Sequence, residues 1–169
     1  LITAVEYATV QDMVARFGEL ELIQLTDLDN IPPSVIDETR VTVKLSDAQA
    51  FVDGYVGQCY RLPLSGCLKP AIIPGGDPVY VAPPVLTRLT CDLARYYLYD
   101  DLAPENEVYR RYQAAVKELD AIASGRAVLA CPWGGTPGAL LVADVQAGEA
   151  TTQYSFKRGV TDDDLRGFA

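Results

Sequence analysis

The chain has 169 residues, of which 49% are apolar and 22% charged, with a formal net charge of -9, ten tyrosines and no histidine. That is enough chain to bury one core without a metal or disulfide staple, and its composition is that of a folded protein, not a disordered one. The acidic balance and the lack of any Lys/Arg block argue against nonspecific nucleic-acid binding. The missing histidine rules out Ser-His-Asp and Cys-His nucleophile systems, and no apolar run reaches the length of a bilayer span.

Taken in chain order, Thr9-x-x-Asp12 reads as a capping box that opens a helix carrying Met13, Val14 and Phe17 at helical spacing, with Gly18 as its stop. Glu19 to Thr26 predicts a second short helix with Leu20, Leu22 and Ile23 turned inward, closed by the breaker run Asn30-Ile31-Pro32-Pro33. Asp37 is the expected N-cap of a long helix whose face is Val41, Leu45, Ala48, Val52, Tyr55, Val56 and Cys59. Gly54 and Gly57, near its end, leave room for a close backbone or for termination, and Arg61-Leu62-Pro63-Leu64 is not helical.

Pro83 and Pro84 suit a helix entry, because the amide that proline lacks has no partner in a first turn. The helix they open is apolar over most of its circumference. Leu86, Leu89, Leu93, Tyr96 and Asp100 form its stripe, Arg88, Asp92 and Arg95 its wet side, and it is expected to end near Leu102. Pro104 to Glu107 restarts the chain as a helix with Val108, Tyr112, Ala115, Leu119 and Ile122 inward, Arg110, Arg111, Lys117, Glu118 and Asp120 outward, and Gly125 as its stop. Beyond Gly125 the pattern changes to a loop and two short strands or extended arms, ending in a possible one-turn capping box at Thr161-x-x-Asp164.

Chemistry is sparse. Cys59, Cys67, Cys91 and Cys131 contain no C-x-x-C pair, which reads as buried or loop thiols in a reducing compartment. The opening LITAVEYATV lacks the pattern of a secretory signal, so synthesis in the cytosol is expected. Asp100-Asp101 and Asp162-Asp163-Asp164 lack calcium-loop spacing and read as solvated acids; Gly75-Gly76 and Gly134-Gly135 lack the lysine of a phosphate loop and read as turns. No catalytic, metal or cofactor residue is assigned, and no enzyme is expected.

Four segments carry a family likeness: YATVQDMVARFGELELIQLTD, DGYVGQCYRLPL, PPVLTRLTCDLARYYLYDD and LDAIASGRAVL. In this order, over most of Tyr7 to Leu129, they resemble the Mu-like phage head-to-tail joining proteins. Arg16, Phe17, Gly18, Leu62, Pro63, Leu64, Asp92, Arg95, Tyr96 and Tyr99 match the pattern one by one. The resemblance implies a helical adaptor, or head-completion protein, that forms a ring, typically dodecameric, under the portal and extends the DNA channel without a cofactor. Implied partners are the portal protein, other neck or tail-completion proteins, and further copies of the chain, with DNA passing through unbound and no membrane contact. The implied location is the head-tail junction of the virion, after assembly in the host cytoplasm. A stopper or tail-completion protein of the same neck, or a non-phage acidic binding module, are the alternatives.

The sequence departs from that pattern between Leu64 and Pro83. There Ala71-Ile72-Ile73 and Val79-Tyr80-Val81 flank PGGDP as the expected strands of an inserted β-hairpin, folded on its own domain or covered by a neighbour. The expected fold is mainly α: a bundle of four to five helices in residues 1–129, with an inserted β-hairpin-like loop at 65–82 and an extended C-terminal arm with short strands at 130–169. Expected interaction residues are Ile72, Ile73 and Tyr80 in the insert and Tyr97 and Tyr99 on the tyrosine-rich helix, where core and interface compete, while Tyr96 is expected in the core. In the arm, Tyr154, Phe156, Leu165, Arg166 and Phe168 are expected to anchor strand addition or helix insertion into a neighbour.

Overall fold

The computed structural model describes residues 5–99 and 105–141. Asp100, Asp101, the acidic run at 162–164 and the arm residues Tyr154, Phe156, Leu165, Arg166 and Phe168 lie outside the described residues. Among the described residues, five helices and a small two-stranded sheet make a mainly α fold, as expected.

Helix α1 (Val10–Phe17) is opened by the predicted capping box: Thr9 Oγ1 accepts from the Asp12 amide, and the Asp12 carboxylate accepts from the Thr9 amide at 2.8 Å. Gly18, at φ +88°, ends α1 and starts α2 (Glu19–Thr26), a junction with no spare residue that a side chain would strain. On α2 the inward residue is Leu22, fully buried, with Ile23 half-buried; Leu20, expected inside, is 70% exposed. In ELELIQLT the apolar residues Leu20, Leu22, Ile23 and Leu25 do not form one helical stripe, so the face is settled by the i, i+4 pair Leu22 and Thr26. Thr26 is buried with its hydroxyl satisfied twice, donating to the Leu22 carbonyl at 2.7 Å and accepting from the Asp37 amide at 3.1 Å.

Helix α3 (Glu38–Val56) is capped by Asp37, which accepts from the Arg40 amide, and buries Val41, Leu45, Ala48, Val52 and Val56. Of its two late glycines, Gly54 faces open space. Gly57 is required: a Cβ there would stand 2.9 Å from the Asp53 carbonyl oxygen and 3.0 Å from Leu62 Cδ1.

Helix α4 (Pro84–Leu98) starts on Pro84, as predicted, but ends at Leu98, four residues before Leu102, with Tyr99 as its C-cap in extended conformation. It packs chiefly on α3 and then on α5 (Glu107–Ala123), which is capped by Asn106 and buries Val108, Ala115, Leu119 and Ile122. The expected wet side of α4 is wet only at Arg88, whose side chain is 41% exposed. Asp92 is buried, 3.9 Å from Arg88 and 3.8 Å from Arg111 of α5, while Arg95 reaches across to Glu21 of α2. Neighbouring helices cover Asp92 and most of Arg95, whose charges are ion-paired, while Arg88 remains partly solvated beside Glu118.

The insert is a β-hairpin, with a different first strand from the one expected. β1 is Cys67–Lys69, not Ala71–Ile73, and pairs antiparallel with β2 (Val79–Val81) in the register Cys67↔Val81, Leu68↔Tyr80, Lys69↔Val79. Continuing that register would set Pro70 against Pro78. Neither has an amide hydrogen, so the ladder stops and Ala71-Ile72-Ile73 falls in the loop.

A second correction concerns sulfur. Cys67 and Cys131 form a disulfide, while Cys59 and Cys91 are buried free thiols. Irregular cysteine spacing carries no signal of this pairing, because the partners meet only through tertiary structure. The bridge tethers the segment after α5, which also bonds to the chain after α3: the Leu129 amide donates to the Tyr60 hydroxyl, Arg61 N–H to the Ala139 carbonyl, Gly66 N–H to Pro137, and Leu141 N–H to Cys59. Tyr60 and Leu140 form a single antiparallel bridge, the one strand-like contact described beyond Gly125.

Candidate docking surfaces

The hairpin lifts apolar side chains into solvent. Ile72 is 88% and Ile73 74% exposed in the loop, and with Val79, Val81 and the Lys69 stem they wall a hollow of about 440 Å³. Alternation along β2 sends Tyr80 to the opposite face, opposite Leu68 on β1. The sheet base is held at Cys67, and Lys69 Nζ lies 5.9 Å from the ring of the half-exposed Trp133.

A second surface is aromatic. Tyr96 of α4 stacks on Tyr112 of α5 with ring centroids 4.0 Å apart, and Tyr97 and Tyr109 tilt against the same pair. Tyr96, expected in the core, is half-buried in this seam. With Tyr97, Tyr99, Phe51, Lys44 and Asp47 it lines a cleft of about 530 Å³ between α3 and the end of α4. Burial raises the hydroxyl pKa of Tyr97, and burial followed by the bond to Glu21 raises that of Tyr99, so both remain protonated donors. The Tyr99 hydroxyl donates to Glu21 at 3.0 Å; Arg95 donates to both oxygens of the same carboxylate and stacks on Phe17, its guanidinium carbon 4.5 Å from the ring centroid. Tyr97 and Tyr99 thus share one cleft, Ile72 and Ile73 share the hairpin loop, and no residue lines both hollows.

The buried Asp92 has its carboxyl pKa raised by burial, an effect that outweighs the nearby guanidiniums of Arg111, Arg88, Arg16 and Arg95. Among the described residues no three His, Cys, Asp or Glu side chains converge as a metal site would need, and no helix is long and apolar enough to cross a membrane.

One surface escaped the sequence reading. The loop after α2 displays Leu28, Val35 and Ile31, the last 97% exposed, yet it is tightly organised. The Asp27 carboxylate accepts from the amides of Ser34, Val35 and Asn30 and from the Asn30 side chain, which pulls its pKa down to about 2. The signal is Asp27-x-x-Asn30 ahead of Ile31-Pro32-Pro33, in which Asp27 organises the run that also ends the helix.

The helical body thus presents two apolar surfaces, an aromatic cleft and a pinned hairpin. The profile of the family described as Bacteriophage Mu, Gp36 matches residues 7–139, and the chain belongs to that family. Gene product J of Escherichia phage Mu is 30% identical over 123 residues, covering 71% of this chain and 73% of the relative. Mu-like prophage FluMu protein gp36 of Haemophilus influenzae is 29% identical over 119 residues, covering 70% and 72%.

Proposed function

We propose that this phage protein is a non-catalytic neck component, an adaptor or head-completion protein that docks as a ring on the portal and continues the DNA channel towards the tail. The observation that carries the reading furthest is the hairpin: Ile72 and Ile73 are held out in water at a fixed place, where they lose apolar burial unless another polypeptide covers them. The half-buried tyrosines fit the same purpose, since an aromatic body with a hydroxyl tip packs well at the edge of an interface. The net charge of -9 suits a conduit wall that repels phosphates and lets a duplex slide.

The arm residues Tyr154, Phe156, Leu165, Arg166 and Phe168 serve in this reading as further anchors to portal or neighbour. The test is to mix the purified chain with the portal of its own phage and image the product. Rings seated on the portal are the expected result; bare portals at micromolar concentrations of both proteins would remove the reading.

A further inference from the structure

The Cys67–Cys131 bridge stands where the fold is thinnest. It joins the first residue of β1 to the segment that follows α5, across a sequence separation of 64 residues. The sheet it secures has three residues per strand, and a two-stranded hairpin of that size is marginal in water without a tether. Approach to the sheet is close as well: a Cβ on Gly66 would meet Val5 Cγ2 and the Val81 carbonyl oxygen, each at 2.8 Å. The hydrogen bonds between the chain after α3 and the segment after α5 fall at Leu129 and at residues 137–141. In the stretch between, the disulfide is the principal link to the hairpin.

The other two thiols are poor competitors for exchange. Cys91 is fully buried, with burial pushing its pKa up to about 12, and Cys59 is buried with its sulfur 3.1 Å from the Ala123 carbonyl oxygen. Of the linked pair, Cys67 is inaccessible and Cys131 retains slight exposure, so exchange begins at Cys131.

We propose that Cys67–Cys131 is a redox latch that fixes the β1–β2 hairpin, with its exposed Ile72-Ile73 loop, to the helical body in oxidising surroundings and releases it in reducing ones. The oxidant is a small-molecule disulfide such as oxidised glutathione. The Cys131 thiolate attacks one of its sulfurs and expels one glutathione thiolate; the Cys67 thiolate then attacks the mixed disulfide and expels the second. Two protein thiols are oxidised, one glutathione disulfide is reduced, and the two protons pass to the departing thiolates. Neither Cys67 nor Cys131 belongs to the hydrophobic core cluster of the helices, so the latch acts locally. This inference is independent of the portal reading, since it concerns the isolated chain.

The test uses the full chain equilibrated with reduced or oxidised glutathione. Alkylation and peptide mapping should find a Cys67–Cys131 cross-link in the oxidised sample, with Cys59 and Cys91 still free. Amides of residues 67–81 and 129–136 should exchange at least about tenfold faster after reduction, while those of α3 and α4 stay unchanged. Cys67→Ser/Cys131→Ser should exchange like the reduced wild type under both conditions. If that variant fails to fold, the comparison of oxidised with reduced wild type decides alone. Four alkylated thiols in the oxidised sample, or equal hairpin exchange in the two states, overturns the latch.

Discussion

A single carboxylate decides the shape of the loop between α2 and α3. Asp27 gathers three backbone amides and the Asn30 side chain, and its folded pKa of about 2 lies below the model-peptide value of 3.8. A carboxyl depressed in the folded state contributes stability above its unfolded pKa and loses it as pH falls through the folded one. Chemical denaturation of wild type and Asp27→Asn between pH 5 and pH 2 should therefore show the wild-type advantage shrinking across about pH 4 to 2, with the variant's curve flatter there. Leu22 and Leu20, two positions apart on α2, make a second residue-scale test. Leu22→Ala should cost about 2–5 kcal/mol, because it empties a fully buried site. Leu20→Ala should stay within about 0.5 kcal/mol, since its side chain already stands in solvent. The sequence could not separate these two, because a short helix whose apolar residues Leu20, Leu22, Ile23 and Leu25 fall around much of its circumference offers more than one inward face.

Elements with strong periodicity were legible to within a few residues, and those set by partners were not. The capping box of α1, the Asp37 cap and the proline entry of α4 stand as read, and the stripe of α3 stands from Val41 to Val56, with Tyr55 half-buried and Cys59 past the helix end, because each is local chemistry. The charged side of α4 was misread, because burying Asp92 depends on Arg111 arriving from α5, which no window of sequence contains. The hairpin was half legible. Its existence followed from two β-prone runs around PGGDP, but its first strand is decided by the facing prolines and the anchor at Cys67. If the exposed loop is a docking element, Ile72→Asp with Ile73→Asp should abolish decoration of the portal while changing the denaturation free energy by less than about 0.5 kcal/mol. Equal decoration by variant and wild type would relocate the contact to the aromatic cleft or the arm.

At the scale of the whole molecule the mainly α architecture was legible, and the way its surfaces are shared out was not, since periodicity does not say which neighbour covers an aromatic. A chain at -9 should not retard duplex DNA in a gel at about 0.15 M salt, and lowering the salt should not rescue binding. Pro70 and Pro78, which a continued ladder would set against each other beyond Lys69 and Val79, bear on the behaviour of the chain in bulk. A greasy, strand-prone tip is an invitation to fibrous stacking, in which each new chain zips its amides onto the last. Two opposed imino residues withhold the hydrogens that such zippering needs, so the tip can be sticky to side chains yet barren as a template. Pro70→Thr with Pro78→Thr should lengthen the ladder and turn a clear concentrated solution cloudy, measurable as light scattering that grows with time.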